Sequence, residues 1–518
     1  MSNLPELAFC IPTYNRSTMV EEFLEQFASL FYQLGIDIFF YDSSEDNATE
    51  LVAKKWKKVY ENIDYIHTPS DWHANHKVMY IYEQYVKNHI YDYLWICGDS
   101  VRHSEKILKQ IIALLDSDYD IIVINGIDKG RIGTREYADG NELFQDCAWH
   151  MTLFGSVIVN VHTLLENAPW SYIEEKYEIP ERINYSHIGL YFESIYRLDR
   201  FKAYYLAADQ EVWGSRLKRK TGWYQDAFQV LCEYWPSTMN ALPSYYTNKW
   251  KAINKLGYYS CLEPWSFLNF RRGNVYNIQT FFRYRKILTG MSSLNTFQLW
   301  SLACLNPKIA YYFAINDLKG FLKECKKIYR LHSYCKKNQK IYIYGAGIVA
   351  ERYAGYFERN GIIYQGFLVT QKENNPKQFK NHPVVPLCEF KSSYNETGVI
   401  IGLNRKNMEE IQPMLTEHGI WEHSFHEYIE SVMLTEWKTS VYKGYKRDKI
   451  EMRVDRVEVS DFPLYLNTVA GGLDRRDQTI GGFSFVVKIY AVPVVEIIGQ
   501  LLYLLGRYGF NTQFGDCL

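Results

Sequence analysis

Residues 7–130 alternate short apolar runs with helices striped every three or four positions, and this alternation constrains the fold more than any other feature. Leu7–Ile11 is an apolar run of strand length, followed by the polar loop Pro12–Ser17. Val20, Phe23, Leu24, Phe27, Leu30, Phe31 and Leu34 then recur at helical spacing, with Thr18 and Glu21 spaced as a capping box. Ile36–Tyr41 predicts a second strand that runs into Asp42-Ser43-Ser44, after which Asn47 and Glu50 open another helix. Tyr91–Cys97 and Asp120–Asn125 predict two further buried strands. Repeated βα units of this kind form a parallel sheet covered by helices on both faces. Such sheets bind ligands beyond the carboxyl ends of their strands, which directs attention to the loops after Ile11, Tyr41 and Cys97.

The rest of the chain divides by pattern. A first α/β domain is expected over 1–225 and a helical region over 226–335. Between Tyr245 and Lys286 basic and aromatic residues interleave, which fits either a glycan or anionic-lipid surface or a helical core covered by Lys and Arg stems. Apolar runs at Ile341–Tyr344, Tyr364–Val369 and Val399–Leu403 predict a second, smaller α/β domain over 336–435. The tail 436–518 has Gly-rich joints and no assignable architecture; its Phe483–Leu505 stretch reads as a buried helix or strand pair or as a peripheral amphipathic segment.

Composition excludes several classes. Lys and Arg number 58 against 59 Asp and Glu in 518 residues, so the basic surplus needed to neutralise nucleic-acid phosphates is missing. Aromatic residues reach 16%, a supply of flat apolar faces with polar edges suited to sugar rings, nucleobases or a membrane interface. The ten cysteines show no C-x-x-C spacing, and reduced thiols in a cytoplasmic protein are expected. No signal peptide is expected, because Glu6 precedes only a very short apolar run.

Three strand ends carry the chemistry: Ile11-Pro12-Thr13-Tyr14-Asn15-Arg16, Tyr41-Asp42-Ser43-Ser44 and Trp95-Ile96-Cys97-Gly98-Asp99-Ser100. Asp42 is suited to accept hydrogen bonds from a base or ribose, and Asp99 to hold a divalent ion between two phosphates. On these motifs the segment from about 7 to 225 resembles a family 2 glycosyltransferase of the GT-A fold. The resemblance implies a Rossmann-like mixed sheet and inverting transfer from a nucleoside-diphosphate sugar, most often a UDP-sugar, with Mg²⁺ or Mn²⁺ as cofactor. It places Pro12, Thr13, Tyr14 and Arg16 in the nucleotide pocket, Asp42 on uracil or ribose, and Asp99 on the metal. Asn75 and Lys77 would hold the sugar and diphosphate. The chain departs from the family's aspartate pair, since Cys97 stands two residues before Asp99 and Ser100 and Val101 follow it.

An attacking hydroxyl needs a base. The resemblance points to the helix near Asn184–Glu193, where Ser186 is a candidate cap, His187 the first candidate base and Glu193 the second. A histidine in a first helical turn is kept neutral, as a base requires. Trp149 and His150 are candidates for the acceptor site, and Arg216, in the basic loop 211–220, for closure over the diphosphate. Gly345-x-Gly347-x-x-Ala350 follows a strand and opens a helix, the context of a second nucleotide-type site. The strand after it ends in Val369-Thr370, without the acidic ribose ligand of an NAD site. That segment is similar to small Rossmann-like modules of bacterial surface-polysaccharide enzymes. The expectation is a cytoplasmic transferase in capsule or other surface-glycan synthesis, with a peripheral contact at the inner membrane face and a glycan or lipid-linked acceptor. Two rivals stand beside it: an NAD-dependent nucleotide-sugar oxidoreductase or epimerase, and a non-catalytic glycan-binding assembly protein.

Overall fold

The structure, a computed structural model, describes residues 6–437 apart from 73, 89, 126–131, 209–211, 215–223, 258–261, 372–374 and 391–396. Residues 1–435 form one compact unit and 436–518 a second, so nearly all of the tail lies outside the described residues.

The predicted alternation folds as β1 (Leu7–Thr13), α1 (Ser17–Gln33), β2 (Ile36–Asp42), α2 (Ala48–Lys57), β3 (Ile63–His67), α3 (Ala74–Asn88) and β4 (Tyr93–Ile96). β1 pairs in parallel with both β2 and β4, and β2 pairs in parallel with β3. The chain continues through β5 (Val101–His103), α4 (Glu105–Leu115), β6 (Ile121–Ile124), β7 (Arg135–Tyr137), α5 (Gly140–Cys147) and β8 (Val157–Asn160). It then runs through α6 (Trp170–Tyr177), α7 (Ser186–Ile195), β9 (Ala203–Leu206) and β10 (Val212–Gly214). The strand order is β3-β2-β1-β4-β8-β6-β9-β7, and β8 is antiparallel to both of its neighbours. The sheet is therefore mixed, as the resemblance implies. β5 and β10 form a separate antiparallel pair, with Gly214 opposite Val101.

The apolar stripe of α1 explains its packing. Phe23, Phe27 and Phe31 face Phe9 of β1, and Phe9 meets Phe31 and Trp95 edge-on at 4.9 Å each. Ring quadrupoles favour that edge-to-face geometry, and these rings form the centre of the core. The predicted capping box is not formed: the N-cap is Arg16, two residues before Thr18, and a guanidinium has no acceptor with which to cap the first turn. Ser186 likewise lies inside α7 and donates to the Ile183 carbonyl.

Helices occupy much of 227–337, ending in the helix Leu318–Lys337. The basic-aromatic stretch divides between the core and the surface of these helices. Phe267, Phe270 and Phe281 are buried, and buried Arg271 donates to the Leu302 carbonyl at 3.1 Å. Trp250 and Phe282 remain exposed. A second sheet follows, made of β11 (Lys340–Tyr344), β12 (Gly366–Val369), β13 (Gln378–Phe379), β14 (His382–Pro386) and β15 (Thr397–Ile401), in the order β13-β14-β12-β11-β15. All its pairings are parallel except β13 with β14. The class is α/β with a smaller second α/β region, as the pattern predicts. β3, β5, β7, β8, β9, β10, β13 and β14 were not foreseen.

Gly189 of α7 packs on the Tyr177 ring of α6, and a Cβ at this position would lie inside van der Waals contact with that ring. We expect Gly189→Ala to destabilise the protein by about 1–3 kcal/mol through overpacking, read as a lower urea midpoint. An unchanged midpoint would show that α6 shifts freely.

Candidate functional site

Lys77, on the first turns of α3, is buried at 3% exposure. An ammonium withdrawn from water must find acceptors, and it finds them at two strand tips. Its Nζ donates to the Thr13 carbonyl at 2.9 Å and to Ser43 Oγ at 2.6 Å. Burial pulls the amine down to about 8, while Asp42 and Asp99, both near enough to act on it, oppose that fall. Those interactions place the ends of β1, β2 and β4 in one site.

Asp99 ends the segment after β4 and is 3% exposed. Arg16 Nη1 donates to its Oδ1 at 2.8 Å and to its Oδ2 at 3.1 Å, and Thr13 Oγ1 donates to Oδ2 at 3.2 Å. The Arg16 side chain is one-third exposed, so the pair has one face in water. The loop that delivers Arg16 turns through Asn15 at φ 53°, a left-handed position that asparagine tolerates. The Asn15 amide donates to Ser44 Oγ at 2.7 Å, which ties this loop to the end of β2. Tyr14 is exposed beside it and Pro12 is half-buried.

Asp42 is fully buried. Its Oδ1 accepts from the Ser44 amide at 3.1 Å and from Ser44 Oγ at 2.6 Å, and its Oδ2 accepts from the Tyr65 hydroxyl at 3.2 Å. Buried at the end of β2, Asp42 holds the Ser44 and Tyr65 hydroxyls. Tyr65 was missed because β3, a half-buried strand, carries only a short alternation. Asn75 is buried and donates to the Asn184 carbonyl at 2.6 Å, joining α3 to the segment before α7.

The acceptor and base candidates lie deeper. Trp149 and His150 are 1% and 0% exposed, stacked on each other, with His150 Nε2 3.4 Å from the Tyr205 hydroxyl. Both are core residues. His187 packs among Phe154, Tyr185 and Tyr191, and neither ring nitrogen makes a hydrogen bond of good geometry among the described residues. Burial pushes this imidazole down to about 3, so it stays neutral but is a very weak proton acceptor. Glu193 accepts from Lys176 at 2.9 Å, Tyr177 at 2.8 Å and Arg197 at 2.8 Å, and these donors outweigh burial and lower its pKa. It is a structural anion at the centre of a cation pair. Both residues lie in the interior, His187 among aromatic rings and Glu193 within its cation cluster. Arg216 lies outside the described residues; Gly214 is the last residue described before it.

Gly345 takes φ +108° in the turn from β11 to the helix Ile348–Arg359, while Gly347 is exposed and Ala350 is buried. The Tyr344 hydroxyl and Thr370 Oγ1 lie 2.6 Å apart at the ends of β11 and β12. Among the described residues no group of three or more His, Cys, Asp or Glu is arranged to hold a metal ion, and no helix is long and apolar enough to cross a membrane. A cavity of about 420 Å³ is lined by Asp37, Phe39 and Tyr41 of β2 with Asn62, Tyr85 and Tyr91, and Asp99 is not among its lining residues.

Residues 8–176 match the family described as glycosyl transferase family 2. The chain is similar to three solved structures among others. One is the mannosyltransferase PcManGT from Pyrobaculum calidifontis in complex with GDP-Man and Mn²⁺ (10% identity, TM-score 0.33, 59% of this chain and 88% of that one). A second is S. aureus TarS 1–349 (12% identity, TM-score 0.35, 63% and 92%). The third is glucosyl-3-phosphoglycerate synthase from Mycobacterium tuberculosis in complex with Mn²⁺ and UDP-glucose (11% identity, TM-score 0.30, 46% and 80%). No curated protein matches the chain.

Burial pushes His103, His150 and His187 each down to about 3. Between pH 6.5 and 3 the unfolded chain binds protons there that the folded chain does not, so stability falls as pH falls, by about 1.4 kcal/mol per pH unit for each histidine. Urea unfolding against pH checks this: His187→Phe should remove about one third of that slope, and an unaltered slope would place the His187 imidazole in water.

Proposed function

We propose that this chain, a glycosyltransferase through its family 2 domain at residues 8–176, moves a sugar from a UDP-sugar to a hydroxyl of a glycan or lipid-linked glycan. The reaction inverts the anomeric carbon in a single displacement, and the product is a bacterial surface polysaccharide. One observation carries the donor side of this reading: Arg16, Lys77, Asp42 and Asp99 meet around the tip of β1.

The donor diphosphate would lie at that tip, where Arg16 and Lys77 supply positive charge against the charge that grows on the departing UDP. Tyr65 and Ser44, oriented by Asp42, would meet the uridine, and exposed Tyr14 offers a flat face beside them. Asp99 is the residue that would hold Mg²⁺ or Mn²⁺, as one carboxylate completed by phosphate oxygens in the manner of magnesium sites. When bound, the ion neutralises charge on the leaving diphosphate. The Arg16 guanidinium, beside Asp99, is the group that would meet the diphosphate oxygens. A guanidinium fork suits that geometry.

A panel of UDP-, GDP- and dTDP-sugars, each assayed with manganese, with magnesium and with chelator, tests the reading. Transfer with a UDP-sugar is expected, and Asp99→Ala should lower kcat/KM by about 100-fold or more. Donor affinity should fall as pH rises through about 8, where Lys77 loses its charge, and Lys77→Arg should abolish that fall. Transfer by no nucleotide sugar, or full transfer by Asp99→Ala, would overturn the donor assignment.

A further inference from the structure

Arg102 is the most buried cation near the site, at 1% exposure, and the proposed reaction gives it no contact with donor or acceptor. It lies on β5, three residues after Asp99. Its Nη1 donates to the Asp99 carbonyl at 2.7 Å and to the Val101 carbonyl at 3.1 Å. Its Nη2 donates to Glu22 Oε2 at 2.7 Å and approaches the Met19 carbonyl at 3.5 Å, and both of those residues lie in the first half of α1. The guanidinium also sits 5.3 Å over the Phe23 ring of the same helix. Burial lowers its pKa, and Glu22 opposes that loss.

A buried guanidinium is expensive, and an apolar side chain of similar volume would fill the space at least as well. Packing alone therefore does not account for it. What an apolar side chain could not supply is the fork of donors reaching two carbonyls of the Gly98–Val101 turn. That turn closes on one backbone bond, from the Val101 amide to the Gly98 carbonyl at 2.9 Å. Asp99 is consequently held at both ends from α1: its carboxylate by Arg16 at the helix N-cap, and its carbonyl by Arg102, which Glu22 anchors one turn further along.

We infer that Arg102 and Glu22 are positioning residues that fix the Asp99 turn against α1 and so set the geometry in which Asp99 and Arg16 receive the donor diphosphate. The inference rests on the donor site proposed above. It assigns these residues no contact with substrate; they act through Asp99.

Arg102→Lys keeps the charge and loses the fork, whereas Glu22→Gln, at a half-buried position, keeps the shape and loses the charge. Each is made in the wild-type and Asp99→Asn backgrounds, with UDP binding by calorimetry, donor and acceptor KM, and thermal midpoint as readouts. Arg102→Lys is expected to weaken UDP binding and raise donor KM by about 10-fold or more, since small misplacements at a reacting site are costly. Acceptor KM should stay within about 2-fold. In the Asp99→Asn background the same change should cost less than about 2-fold further, because residues acting as a unit are not additive. Equal losses in both backgrounds, or a lower thermal midpoint with unchanged UDP affinity, would overturn the positioning role while leaving the donor site standing. If Arg102→Lys does not fold, Glu22→Gln decides by the same non-additivity. Absence of UDP binding by the wild-type protein would remove the donor site itself, and the inference with it.

Discussion

A single buried ammonium organises the carboxyl edge of the large sheet. Lys77 leaves water only because the Thr13 carbonyl and Ser43 hydroxyl accept its protons and because Asp42 and Asp99 lie close enough to favour its charge. Each of these groups needs the others. Without the lysine, the Thr13 carbonyl and Ser43 hydroxyl would lose a shared donor; without those acceptors, the buried ammonium would stand unsatisfied. Mutual dependence of this kind keeps the tips of β1 and β2 and the start of α3 in register.

Charge elsewhere in the N-terminal region does different work. The Glu193 cluster, with Lys176, Tyr177 and Arg197, joins α6 to α7 and has no oxygen to spare. Arg102 and Glu22 join β5 to α1 beneath Asp99. All three assemblies bury one ion almost completely and keep a partner partly in water: Asp99 with Arg16, Glu193 with Arg197 and Lys176, and Arg102 with Glu22. Close backbone approach adds to the frame: Gly155, at φ +101°, lies where a Cβ would meet Cys97 Sγ at 2.8 Å, so the chain beside the Asp99 segment admits no side chain.

Beyond the sheet, the structure shows how aromatic content was used. Much of the 16% is spent on rings packed edge to face, in α1 against β1 and β4 and through the helices of 227–337. Tyr14, Trp250 and Phe282 are among the rings left exposed. The smaller sheet places Gly345 and Gly347 after β11 as a glycine-bearing strand-to-helix turn, with Gly345 in a conformation that favours glycine.

Local pattern determined the alternation of strands and helices, the class of the fold and the strand ends where polar residues gather. Each of these follows from periodicity and turn chemistry, which act over a few residues and are written along the chain. Asp42 and Asp99 stood out for the same reason, as carboxylates at strand ends, whereas Thr13, Arg16 and Lys77 were singled out by the family resemblance. Tertiary packing decided what those residues do. Asp42 turned inward because Tyr65 of a neighbouring strand and Ser44 were there to bond it, and Arg16, at the N-cap of α1, reaches a carboxylate 83 residues away. His150, His187 and Glu193 carry reactive groups at plausible positions, yet burial and the partners brought by other elements govern whether such groups can exchange a proton. Burial is a property of the assembled layers, and no spacing along the chain contains it.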